Sequence, residues 1–236
     1  MDQRPRMPIS AGGGTIPNPR PRGCFDPAVP SLGPQAGVGY VRIGSFSGPD
    51  EVGFATSIEN QIRAADAPEL VGWIVDLRGN TGGNMWPMIA GVGSILGEGT
   101  AGAFVDPDGS VSLWGYRDGA SFVDGTPLVQ VPNAYRLYQA APRVAVLTDC
   151  AVASSGEAVA IAFRGRPNTR SFGTATRGLS TSNEGYRLSD GATLLLTVST
   201  MADRNLTLFG LFVVPDEPTP TANETEQRAL TWLRGP

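Results

Sequence analysis

The sequence predicts an α/β domain built on a parallel sheet. Three observations point there: residues 71–77 (VGWIVDL) and 143–148 (RVAVLT) are near-continuous apolar runs of strand length, and helix-spaced segments separate them from strand-like neighbours. A strand that is apolar at almost every position is covered on both faces, as parallel strands between helical layers are. The 236 residues, 41% apolar and 17% charged, suffice for one domain with a substantial buried core and not for two.

Residues 1–36 hold many prolines and glycines and too little apolar surface to repay ordering, so a flexible leader is expected ahead of a domain spanning 37–236. Order begins with a strand at 37–46, where Tyr40, Arg42 and Gly44 alternate with Val41, Ile43 and Ser45. A helix follows, capped by Ser47 with Asp50 three residues on; Ala55, Ile58, Ile62 and Ala65 form its inner face and Pro68 stops it. The strand at 71–77 then completes one crossover. Asn84 caps the next helix, which tolerates Pro87 in its first turn and turns Met88, Val92 and Ile95 inward. Residues 101–116 form a hairpin turning at Pro107-Asp108-Gly109, whereas 117–141 are rich in turn residues and give no clear element. The strand at 143–148 opens a second crossover, through a helix at 155–164 to a strand at 169–173. A hairpin about Ser189-Asp190-Gly191-Ala192 occupies 185–199, and TEQRALTWLRG closes the chain as a helix.

A formal net charge of −4, with arginines scattered rather than clustered, argues against a nucleic-acid footprint. The start, MDQRPRMPIS, lacks the apolar run of a secretory signal, and no segment has the length of a membrane span. A complete chain of this kind is expected in the cytoplasm, and one lacking an N-terminal part is expected to be exported. Cys24 and Cys150 can pair in an oxidising compartment, but Cys24 lies in the irregular leader and Cys150 in an apolar stretch, where a buried free thiol is the expectation. No cofactor and no metal site is expected.

Two segments carry chemistry. In VDLRGNTGGNMWPM (75–88) Gly79, Gly82 and Gly83 lie between a buried strand and a helix, where the backbone can turn its N–H groups toward an anion or a developing oxyanion. Phosphate binding fits badly, because the spacing is neither G-x-G-x-x-G nor G-x-x-x-x-G-K-[ST]; the other reading of the loop is a tight turn needing glycine dihedrals. In VLTDCAVASSGEAVAIAF (146–163) Ser154 falls at a helix start, near the positive end of its dipole, with the N–H of Ser155 beside it. By position alone Ser154 is equally a plain N-cap.

DLRGNTGG followed some seventy residues later by SSGE resembles the tail-specific, or C-terminal processing, serine peptidases, which carry D-L-R-x-N-x-G-G and then S-x-S-E. The match runs from about 40 to 215 and includes Pro215-Asp216; SSGE with TGGNMWPM is closest in motif to the branch containing the nisin resistance protein. The resemblance implies a crotonase-like core of repeated strand-strand-helix units, Ser154 as nucleophile, and an oxyanion hole from backbone N–H groups around Gly82, Gly83 and Ser155. It implies a peptide or protein substrate cut near its C-terminus. The family's peptide-binding PDZ domain is not expected within the leader.

The departures are as informative. The chain contains no histidine, and all eighteen of its basic residues are arginines. Where the lysine-using branch has T-x-G-K, Gly173-Thr174-Ala175-Thr176-Arg177-Gly178-Leu179 puts Leu179 at the place of the base, and Arg177 is no substitute because a guanidinium keeps its proton. Three readings follow: a longer peptidase whose base lies outside this sequence, a catalytically inactive peptide-binding relative, or a carboxylate base, Glu157 or Asp149, raised in pKa by burial. Glu157 has a simpler role as a first-turn carboxylate of the helix. Asp76 and Arg78 read as a structural ion pair, and Trp86, Trp114 and Phe172 as either groove or core.

Overall fold

A computed structural model describes residue 33 and residues 35–235, and shows a mixed α/β fold with one parallel and one antiparallel sheet. The parallel sheet has the order β1 (Val38–Arg42), β2 (Gly72–Asp76), β7 (Val144–Thr148), β8 (Thr169–Gly173), β11 (Glu217–Pro218). Crossover helices α1 (Glu51–Ala65), α2 (Met85–Leu96) and α3 (Ser155–Ala162) cover one face, and α4 (Ala222–Arg234) covers the other. The alternation of a strand explains the unbroken apolar run: in β2, Trp73 and Val75 enter the core under α1, α2 and α3, while Ile74 packs with Ala229, Leu230 and Leu233 of α4.

The second sheet has the order β6 (Thr126–Gln130), β5 (Ala120–Val123), β4 (Val111–Arg117), β3 (Gly99–Val105), β10 (Thr193–Asp203), β9 (Thr181–Arg187). Its β3–β4 hairpin turns at Asp106-Pro107-Asp108-Gly109, as the turn residues require. Strands β5 and β6 lie in the segment that gave no clear element. They are four and five residues long, and Asp118 and Asp124 take positive φ before Gly119 and Gly125, so two tight turns outweigh the strand pattern in the sequence.

Several boundaries move. The first strand ends at Arg42, and the cap of α1 is Asp50, whose Oδ1 accepts from the Gly53 N–H at 2.8 Å, rather than Ser47. Asn84 caps α2 as expected, accepting from the Trp86 N–H at 3.0 Å. Trp114 and Phe172 are fully buried core residues and line no groove; Trp86 is half-buried. The expectation of a free thiol is overturned, since Cys150 is disulfide-bonded. It sits half-buried in the turn beyond β7, outside the apolar layer that ends at Thr148. Cys24 and nearly all of the expected leader lie outside the described residues. Among these, no helix is long and apolar enough to cross a membrane and no group of residues could hold a metal ion.

Candidate active site

The carboxyl ends of β2 and β7 bring the two motif segments together. Residues 77–84 leave β2, residues 149–154 leave β7, and the glycines let the two loops close on each other. A Cβ on Gly82 would lie 2.9 Å from Ser154 Cβ and 2.8 Å from the Ala153 carbonyl oxygen; φ there is 101°. Gly156 lets Asn80 lie against the start of α3 in the same way, since a Cβ there would be 2.6 Å from the Asn80 carbonyl oxygen. Asn80 is the hub of the junction. Its side-chain nitrogen donates to the Ile43 carbonyl at 3.1 Å, and its backbone carbonyl accepts from the Ala153 N–H at 2.9 Å.

Ser154 is the half-buried N-cap residue of α3 and has φ 51° and ψ −117°, a conformation that costs a non-glycine residue on the order of 1–3 kcal/mol. Such strain persists only where the surroundings over-determine it. Here Glu157 does so. Its buried carboxylate accepts from the Ser154 N–H and the Leu179 N–H on Oε2, each at 2.8 Å, and from the Gly178 N–H at 2.8 Å and the Thr176 hydroxyl on Oε1. The last three bonds tie the Ser154 turn to residues 176–179. With two donors on each oxygen, Glu157 is placed to hold the turn.

Asp149 is also a tether. Its Oδ1 accepts from the N–H groups of Gly79, Ala151 and Val152 at 3.0–3.1 Å, which joins the turn after β7 to the loop after β2. The three expected oxyanion donors divide. The Gly82 N–H is spent on Asn80 Oδ1 at 2.9 Å, which corrects its place in the set. The N–H groups of Gly83 and Ser155 have no acceptor among the described residues, and the Ser155 hydroxyl donates to the Gly83 carbonyl at 2.6 Å, locking the two residues side by side. Backbone N–H groups without an acceptor among the described residues, next to a strained serine, are what stabilisation of an oxyanion needs.

The expected Asp76–Arg78 ion pair is present and buried: Arg78 Nε and Nη2 meet the two carboxylate oxygens at 2.9 and 2.7 Å, and Nη1 lies 2.9 Å from Glu226 of α4. Burial opposes the charge, but the hydrogen bonds and charge of Asp76 and then Glu226 prevail and hold the guanidinium above its ordinary pKa. Farther out, Asp216 accepts from the Ser171 N–H and hydroxyl at 2.8 and 2.7 Å and pairs with Arg164. Burial acts to raise its pKa, yet these partners keep it below the usual carboxylate value.

Sequence reasoning missed Thr176 and the central role of Asn80. Thr176, read only as part of a spacing that led to Leu179, is buried; it donates to Glu157 and accepts from the Val213 N–H at 2.8 Å. Leu179 itself is half exposed and shares the Glu157 oxygen with Ser154.

Residues 37–217 match the profile of Peptidase family S41. The chain belongs to that family. It is 32% identical over 163 residues to the nisin-resistance protein of Lactococcus lactis subsp. lactis, an alignment covering 69% of this chain and 50% of that protein. The chain therefore spans about half the length of this curated relative. Among solved structures, a lipoprotein from Streptococcus agalactiae superposes with a TM-score of 0.67 at 29% identity, over 85% of this chain and 67% of the other. The photosystem II D1 C-terminal processing protease shares the fold, with a TM-score of 0.56 at 22% identity, over 87% and 50% of the two chains.

Proposed function

We propose that this S41 chain is the catalytic core of a serine-type peptidase that hydrolyses peptide bonds near substrate C-termini. Ser154 is its nucleophile, and the Gly83 and Ser155 N–H groups form its oxyanion hole. The observation that carries this reading is the strained Ser154 held at a helix start beside two N–H groups that have no acceptor among the described residues. The repeated strand-helix crossovers support a crotonase-like core.

The general base comes from outside these 236 residues. Neither histidine nor lysine occurs in them, Glu157 and Asp149 are engaged as tethers, and arginine does not deprotonate. The disulfide at Cys150 favours an oxidising, extracytoplasmic compartment. The second reading, an inactive peptide-binding relative, is favoured by the same missing base.

Fluorophosphonate labelling tests the choice. The 236-residue chain is expected to label slowly, because a positioned base contributes roughly 10²–10⁴-fold. Millimolar imidazole in the buffer should accelerate labelling, and Ser154→Ala should abolish it. Labelling that is indifferent to both changes would favour the inactive relative.

A further inference from the structure

Strand β9 begins two residues beyond Leu179, the end of the segment that Glu157 pins to Ser154, and β10 returns antiparallel to it. Residues directly opposite in such a pair share a face. Tyr186 lies opposite Leu194 and Glu184 opposite Leu196, and Leu188 continues the same alternation. Those four apolar side chains are 44%, 44%, 45% and 45% exposed. The opposite face carries Leu195 over Gly185, with Thr197 bonded to Asn183. The hairpin thus has one face with four apolar side chains about Glu184, whose Oε2 accepts from the Tyr186 hydroxyl at 2.8 Å, and one largely polar face on which Leu195 is the apolar exception. An antiparallel sheet of that pattern normally lays its apolar face on a core. Here nothing among the described residues covers it, although the same β10 strand is buried from Met201 to Asp203.

A mainly apolar face with no cover among the described residues is a docking surface, and its occupant is indicated by where it starts. Leu179, at the nucleophile, is 50% exposed; its neighbour Ser180 donates its hydroxyl to the carbonyl of Leu211, itself 45% exposed. Apolar surface therefore flanks the root of the hairpin as well as its face. At about 3.3 Å per residue, Tyr186 and Leu188 lie roughly 20–30 Å of strand beyond Leu179, a span that an extended peptide covers with about seven to nine residues. We infer that the apolar face of the β9–β10 hairpin is an exosite for an extended apolar segment of the peptide substrate, about seven to nine residues from the scissile bond. This inference rests on the serine peptidase reading of the site.

Binding tests it without requiring turnover. Fluorescence anisotropy on the Ser154→Ala chain would compare three labelled probes: a short Ala/Gly peptide, and two peptides of about sixteen residues carrying a Leu-Ser-Leu-Ser-Leu block at one end or the other, a length set by the strand rise. One long probe should bind at least tenfold tighter than the short one. Leu194→Ser/Leu196→Ser should remove that advantage, and Leu195→Ser, on the other face, should keep it. Equal affinity for all probes, or equal loss in both variants, would overturn the exosite. So would concentration-dependent dimerisation abolished by Leu194→Ser/Leu196→Ser, which would assign the face to a second copy, or binding to neutral phospholipid vesicles with the same sensitivity. Fluorophosphonate labelling of the wild-type chain reports separately on Ser154, so a failed peptidase reading and a failed exosite are distinguishable.

Discussion

The Ser154 turn and the β9–β10 hairpin are joined through residues 176–179 and are held by opposite means. Around Ser154 three side chains tie the loops together: Glu157 holds four donors, Asp149 binds the Gly79 loop, and Asn80 links the ends of β1, β2 and β7. The hairpin is held by its own ladder, and its leucines face outward. A strained catalytic geometry needs over-determination, whereas a recognition surface needs accessible area. The two regions should therefore answer mutation very differently.

The largest expected effect sharpens the first half of that contrast. Because the Leu179 and Ser154 N–H groups share one carboxylate oxygen, a lysine at 179 starts close to the nucleophile on a scaffold already fixed. Leu179→Lys should raise Ser154 labelling by fluorophosphonate by about 10²-fold or more, with a rate that climbs as the amine deprotonates. Unchanged labelling would mean that the turn is fixed in a geometry unlike that of the lysine-using enzymes.

Next comes the carboxylate that does the fixing. Glu157→Ala removes a fully buried carboxylate and strands its four donors, one of them the buried Thr176 hydroxyl, which costs about 1–3 kcal/mol. Urea unfolding should show that loss, and Ser154 labelling should vanish with it. A cost under about 1 kcal/mol would break the claim that over-determination holds the turn.

Much of this architecture was legible in the sequence. The apolar runs gave β2 and β7, because burial on both faces leaves a continuous signal, and Asn84 marked α2. Strands β5 and β6 were not legible, since short strands between positive-φ turns carry little pattern. At the site, the motif spacing placed Ser154 at a helix start, where the structure has it, and Ser155 bonds to Gly83 of the other motif. The diversion of the Gly82 N–H to Asn80 and the four bonds of Glu157 depend on which loops meet, and no local pattern records that. The disulfide at Cys150 was misread because the apolar run ends at Thr148, two residues before the cysteine.

A smaller effect concerns the strap that returns from the hairpin to the parallel sheet. Asp216 binds Ser171 of β8 and pairs with Arg164, and these partners hold its pKa below the usual value. A depressed carboxylate contributes stability that is present above its unfolded pKa and is lost as pH falls through the folded one. Thermal melts should therefore show the wild type losing stability on acidification below about pH 4, the ordinary carboxylate range. Asp216→Asn should be less stable near neutrality, and the gap should narrow as the pH drops. A gap that is constant with pH would mean that the charge plays no part.

The smallest effect is expected within β10 itself, whose two ends belong to the two regimes. Leu195 is 70% exposed and has only Gly185 opposite, so Leu195→Ser removes no packing and should change stability by no more than about 0.5 kcal/mol. Met201, six residues along the same strand, is 3% exposed in the main core, and Met201→Ala should cost about 2–5 kcal/mol. Urea midpoints of the two variants measure the difference directly. A Leu195→Ser loss approaching that of Met201→Ala would show that the hairpin packs against something in solution, and the accessible recognition face would have to be given up.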